Sequence, residues 1–315
     1  MDIEHKDIEA MPLSTAFVTY RKELEKMLGD KAIDVKHGMF MRIPAGKHIL
    51  VPLHVNVHLS TSESDILVII AEPESNITLI DAVTSDSFTG THSKGIYLLA
   101  QEKAFVHYIS VQCVSDTIVH TTNRKATVEK DACVQWTECQ LGGSSVTSHT
   151  VTSLRGEGAS LFHRTLFLGE HQRKLTFNTQ ALHEASHTTS RLFMNGALAD
   201  RADATAHGLI KINKDCAHCD GYQKQHTLLL SEEAKMDPVP MLEIHNDDVK
   251  CSHATAITDV DEEQLHYMMS RGLDQQQARK LIVEGFFEPI LREIKDTSAE
   301  NIREYLAKKV EEIVC

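Results

Sequence analysis

The chain has 315 residues, a formal net charge of −13 and an apolar fraction of 42%, the composition of a soluble globular protein with room for one large domain plus an appendage, or for two ordinary domains. The acidic balance argues against a nucleic-acid scaffold, which would carry a basic stripe. No run of residues approaches the length needed to cross a bilayer, and the opening MDIEHKDIEAMPL lacks the apolar core of a secretion signal.

The first expected element is a helix. Ser14 stands where a cap belongs, Phe17, Tyr20, Leu24, Met27 and Leu28 form one stripe, and Gly29 is a stop. Pro44-Ala45-Gly46 then marks a turn. From Val51 the period changes: Val51, Leu53, Val55, Val57 and Leu59 alternate with Pro52, His54, Asn56, His58 and Ser60, the pattern of a strand with one buried face. His54 and His58 fall on its polar side, where a solvated strand face is favoured over a metal pair.

To about residue 255 short alternating runs follow one another with no long helix. Many are introduced by a polar turn ending in a small residue: Asn76, Ala104, Ala132, Ala159 and Ala185. The spacing of about 27 residues predicts stacked repeats, and a small residue is needed where a coil turns sharply under its neighbour. A β-sandwich would also give many short strands, but the steady period and the length of the β region favour a solenoid. After about residue 258 helical spacing returns. Asp261 with Gln264, and Asp274 with Gln277, make two capping boxes. Gly272 separates them, and Ser298 caps a third helix with the stripe Ile302, Tyr305, Leu306, Val310 and Ile313. The division is therefore a helical lead-in over residues 1–36, a β body over 37–257 and a helical tail over 258–315.

The motifs that carry chemistry are few. There is no phosphate-binding GxxxxGKS or GxxxxGKT loop, no GxSxG and no HExxH; Gly142-Gly143 reads as a loop. The seven cysteines are Cys113, Cys133, Cys139, Cys216, Cys219, Cys251 and Cys315. An odd set in a long chain with no secretion signal points to reduced thiols in a cytoplasm. Cys216 and Cys219 form a CxxC, a spacing at which two thiolates can grip one metal or cluster, or simply pack. Their flanks, HGLIKIN and HTLLL, look like strands, which disfavours a thioredoxin-like role. Cys251 and His253 stand two apart, so on a strand they face the same way. They could share a metal, or they could be a structural cysteine beside a surface histidine.

The stretch YQKQHTLLLSEEAKMDPVPMLEIHNDDVKCSHATAITDVDEEQLHYMMSRGLDQQQARKLIVEGFFEPIL resembles the C-terminal half of the SufB/SufD family of iron–sulfur cluster assembly proteins. SLRGEGA, SRLFMNGALADRADATAHGLIKI and HGMFMRIPAG are also similar to family segments, so the likeness spans about residues 37 to 294. The resemblance implies a mainly β fold, a right-handed parallel β-helix with a C-terminal helical subdomain. It implies a scaffold that is not itself an enzyme and that pairs through the end of its β-helix. Its tail, about Asp261 to Ile294 here, would dock a SufC-type ATP-binding-cassette ATPase. A transient [4Fe-4S] or [2Fe-2S] cluster would be built at the dimer interface, with Cys251 and His253 as candidate ligands.

The departures matter. A SufB cysteine implicated in cluster assembly falls at Ala234, and His253 stands where SufB has an interfacial glutamate, as in SufD. Ala254 replaces the usual glycine. Cys216 and Cys219 are candidates to replace the missing cysteine. The chain resembles compact single-scaffold versions that pair with themselves. The alternatives are a SufD-like structural partner of a separate SufB-like paralogue, binding no cluster, and a carbohydrate-active β-helix enzyme, which would need a row of acids or cations that is not apparent.

Overall fold

A computed structural model describes residues 7–29, 38–292 and 297–314. The chain alternates between two sheets. The first holds β1 (Glu9–Pro12), β2 (Met39–Ile43), β4 (Glu63–Ala71), β6 (Gly90–Ala100), β8 (Ile118–Val128), β10 (Ser145–Leu154), β12 (Lys174–His183), β14 (Asp203–Ile212) and β16 (Lys235–Ile244). The second holds β3 (Leu53–Leu59), β5 (Asn76–Ser85), β7 (Phe105–Cys113), β9 (Cys133–Gln140), β11 (Ser160–Gly169), β13 (Thr189–Leu198), β15 (Asp220–Leu229) and β17 (Lys250–Asp259). Except for β1, which runs antiparallel to β2, every paired strand is parallel to its neighbours. The result is a parallel β-helix of about eight turns, as the repeat spacing predicts. The coil length varies between 26 residues (Val119 to Ser145) and 32 (Asp203 to Lys235).

The expected small-residue corner is present, shifted at its ends. The column runs Ser75, Ala104, Ala132, Ala159, Thr188 and Cys219, all at most 1% exposed. Each carbonyl accepts from the strand above, from Phe105 N to Ser75 O at 2.8 Å through Lys250 N to Cys219 O at 2.8 Å. Asn76 instead opens β5, and Ala185 lies within its turn, three residues short of the column. The residue before each column member (Glu74, Lys103, Asp131, Gly158, His187 and His218) has a φ between 55° and 75°. That left-handed step swings the chain through the corner. Val51 is 74% exposed and precedes β3, so the buried alternation starts two residues later than its spacing suggests.

Helices cover parts of the outer faces. The single expected N-terminal helix is two, α1 (Leu13–Thr19) and α2 (Arg21–Leu28), broken at Tyr20. Ser14 lies inside α1, whose cap position is Pro12 with no side-chain bond. Leu13, Ala16, Leu24 and Leu28 pack on Phe40, Val68 and Tyr97. At the other end α3 (Glu262–Ser270), α4 (Gln275–Leu291) and α5 (Thr297–Val314) follow β17. Asp261 accepts from the backbone of Glu263 and Gln264, and Asp274 and Gln277 bond reciprocally, as the capping signals predict. Val283, Phe287, Leu306 and Val310 are buried over Ile80, Ile109, Leu166 and Leu228 of the second sheet. Ser298 falls just inside α5; the side chains of Ser298, Ile302, Tyr305 and Ile313, and all of Cys315, lie outside what is described.

The interior of the β-helix is apolar near the small-residue corner but polar along its middle. Glu138 accepts from Arg124 Nη1 at 2.6 Å, Ser148 Oγ at 2.8 Å and Thr165 Oγ1 at 3.0 Å. Burial pushes its carboxyl up, yet Arg124, His163 and Ser148 outweigh that and hold it well below the usual carboxylate range. Removing one partner of such a pair leaves a buried charge with no counter-charge. Arg124→Met is expected to cost roughly 3–5 kcal/mol of stability, read as a shift in the urea midpoint at unchanged slope.

Candidate functional site

Among the described residues no strand stacks beyond β16 and β17, and that exposes the inner face of the last coil. Strand alternation places Cys251, His253 and Thr255 of β17 on one side, in register with Gly221, Gln223 and Gln225 of β15. Cys251 is half-buried against the core, whereas His253 is exposed. A Cβ at position 221 would lie 3.1 Å from Cys251 Sγ, so Gly221 makes the space in which the thiol lies flat. Burial pushes that thiol up to about 11, with the Asp220 carboxylate adding to the effect. A metal that binds Cys251 must therefore displace a proton.

Cys216 and Cys219 sit in the corner between β14 and β15. That corner takes seven residues (213–219), against four between β4 and β5 (72–75). Both flanks are strands, as the sequence predicts. Both thiols are buried, at 3% and 1% exposure, in the apolar cluster against which Cys251 packs. Cys219 occupies the small-residue column, 3.1 Å from Thr188 Oγ1. Burial, then the neighbouring Cys219 thiol, raises the Cys216 thiol above its ordinary value.

The fold thus gathers three of the four sequence candidates at one corner and leaves His253 on the open face. The thiols do not converge on a point. Among the described residues, the metal-type side chains whose ligand atoms do converge are Asp116, Glu170 and His171. Two of these are held by Arg173, at 2.6 Å and 3.0 Å, and Glu170 also by Lys309 at 3.1 Å.

Ala234 lies elsewhere. It belongs to the opposite corner, in the column Ser144, Arg173, Ala202 and Ala234. The ten residues of β15 separate it from Cys219, about 33 Å at strand rise. Cys216 and Cys219 therefore lie at the corner opposite to the one that holds Ala234. His54 and His58 are both exposed, and His58 contacts Thr84 and Asp86, which agrees with the solvated strand face favoured from the sequence.

The two edge strands at this end differ. Lys250 N donates to Cys219 O, so the even-numbered residues of β17 face β15 and Cys251, His253, Thr255 and Ile257 turn their backbone groups to the open edge. In β16, Lys235 N donates to Ala202 O, which puts the even-numbered residues at the open edge. Two of those are Pro238 and Pro240, which have no N–H to offer. The buried residues Glu138, Arg124, His163 and Gln223 were not singled out in the sequence. Their signal is a polar residue at an inward position of the alternation.

A β-helical frame with a helical tail and a cysteine-bearing open end defines the structural class. The family model for SUF system FeS cluster assembly, SufBD core domain, matches residues 56–286, and the chain belongs to that family. It is 27% identical over 266 residues to a SufBD family iron–sulfur cluster assembly protein of Mycobacterium leprae, covering 82% of this chain and 30% of that protein. To the iron–sulfur cluster assembly proteins SufD and SufB of Bacillus subtilis the identities are 27% over 286 residues and 23% over 265. Those matches cover 88% and 82% of this chain, and 64% and 56% of the relatives. The chain thus spans less than two thirds of each of these relatives.

The raised Cys251 thiol has a measurable consequence. At pH 7.5 its alkylation by iodoacetamide is expected to run about 10- to 100-fold slower than that of free cysteine, since the scarcity of thiolate outweighs its greater nucleophilicity. The rate should climb with pH toward about 11, followed by peptide mass spectrometry.

Proposed function

We propose that this chain is a non-enzymatic scaffold on which an iron–sulfur cluster is assembled and passed on. It works as a pair of identical copies with a SufC-type ATP-binding-cassette ATPase that performs the hydrolysis. The observation that carries the reading is the gathering of Cys251, Cys216 and Cys219 at one corner of the open end, beside exposed His253. Thiolates are the usual cluster ligands and imidazole an occasional one. A two-fold pair supplies each ligand twice. The cluster is cargo, of [4Fe-4S] or [2Fe-2S] type, and the raised thiols suit a site that holds it loosely. Ligation requires the buried CxxC corner to open.

Pairing is supported by the free edge of β17, a ready template for a second strand. Docking of the ATPase is supported by the tail, about residues 261 to 294. There α4 and α5 flank a cavity of about 370 Å³ lined by Leu281, Gly285, Phe287 and Leu306, and Leu281 is 47% exposed. The net charge of −13 disfavours nucleic acid as a partner. No helix among the described residues is long and apolar enough to cross a membrane, and the free cysteines suit a reducing cytoplasm. The second reading, a SufD-like partner of a SufB-like paralogue, is favoured by Ala234, His253 and the burial of the CxxC.

Anaerobic reconstitution with ferrous iron and sulfide separates the two. The scaffold is expected to develop the visible absorbance of a cluster, and Cys251→Ser to lose most of it. Full absorbance in Cys251→Ser removes that residue from the ligand set, and no absorbance in the parent protein selects the structural partner. For the pairing, Thr255→Pro deletes an open-edge donor without touching the β15 ladder. It should weaken the dimer at least about tenfold, measured by sedimentation.

A further inference from the structure

The polar interior holds a small chamber one coil below the open end. His163, Leu192, Thr179, Gly208, Gln223 and Gln225 line it, with about 20 Å³ of room for the centre of a water-sized sphere. That is enough for one water. Among the described residues, three polar atoms here have no hydrogen-bond partner: His163 Nδ1, Gln223 Oε1 and Gln225 Oε1. Their residues are 1%, 2% and 5% exposed.

The orientation of each group is fixed by its other end. His163 Nε2 lies 3.2 Å from Glu138 Oε1, and a carboxylate only accepts, so Nε2 carries a hydrogen and the ring's Nδ1 edge is turned away from Glu138. Gln223 Nε2 donates to Met241 O at 3.2 Å, and Gln225 Nε2 to Ala206 O at 3.5 Å, which turns both amide oxygens away from those partners. Gly208 makes room for one of them: a Cβ there would meet Gln223 Oε1 at 2.3 Å. The chamber therefore presents two amide-oxygen acceptors together with the Thr179 hydroxyl and His163 Nδ1.

We propose that this chamber is a binding site for one fixed water molecule, which donates to the Gln223 and Gln225 amide oxygens and accepts from Thr179, tying the interior to the last coil through Gln223 and Met241. A molecule of that size with two hydrogens and a lone pair fits the lining. An anion does not, because it would face the lone pairs of both amide oxygens. This inference stands independently of the proposed function.

The test is a crystal structure of the full chain at a resolution that shows ordered water, with parallel soaks in thallium(I) and bromide. One peak within hydrogen-bonding distance of Gln223 Oε1, Gln225 Oε1 and Thr179 Oγ1, with no anomalous signal from either soak, is the expected result. An empty map, a thallium peak or a bromide peak overturns the assignment. Thr179→Val, close in shape, should lose the peak. It should also speed hydrogen–deuterium exchange in Lys235–Ile244 about tenfold, the equivalent of one hydrogen bond. Unchanged exchange sinks the tie to the last coil.

Discussion

Coil-on-coil hydrogen bonding is the constraint on which everything else rests. Each strand must find its N–H and C=O partners in the strands one coil above and below. That happens only if the corners stack closely enough to keep the strands in register. A column of Ser75, Ala104, Ala132, Ala159, Thr188 and Cys219 meets the requirement at one corner, since a larger side chain would push the coils apart. Every inward side chain then sits between two others at strand spacing, so a polar residue inside must find its partner in a neighbouring coil or across the interior. The Glu138 network does this with donors from β8, β10 and β11.

The same rule explains why the half-exposed thiol and the open imidazole lie at the end of the rod. Inward positions in the middle coils are covered on both sides, whereas those of β17 are covered on one side only. Cys251 keeps partial cover because Gly221 lets it lie against the core, and His253, two residues on, does not. Cys219 meets both demands. It is small enough for the stacking column, and its sulfur adds a chemical capacity that the alanines below it lack.

The β-helix was legible from the strict alternation in the strands, the repeated turns and the small residues Ala104, Ala132 and Ala159. The tail helices were legible because Asp261, Asp274 and Gln277 are local capping signals that act within one turn. What was not legible depends on three-dimensional neighbours. Asn76 and Ala185 look like corner residues, but the shape of each turn decides which residue stacks, and that places Ser75 and Thr188 there instead. The N-terminal stripe does not reveal the break at Tyr20, whose hydroxyl bonds to Glu9 of β1. Cys251 and His253 are adjacent on one face by strand geometry alone. The distance from Cys219 to Ala234 could be read only once β15 was known to lie between them.

The prolines of β16 carry a mechanical implication. With one sheet unable to extend across the end of the rod and the other free to, two rods joined there would share a single seam rather than a continuous double wall. Such a join resists sliding along the strands, yet it leaves the opposite sides able to gape and close like a book on its spine. A force applied at the helical tails, which lie over the same sheet that carries the seam, would be transmitted to the cysteine-bearing corner.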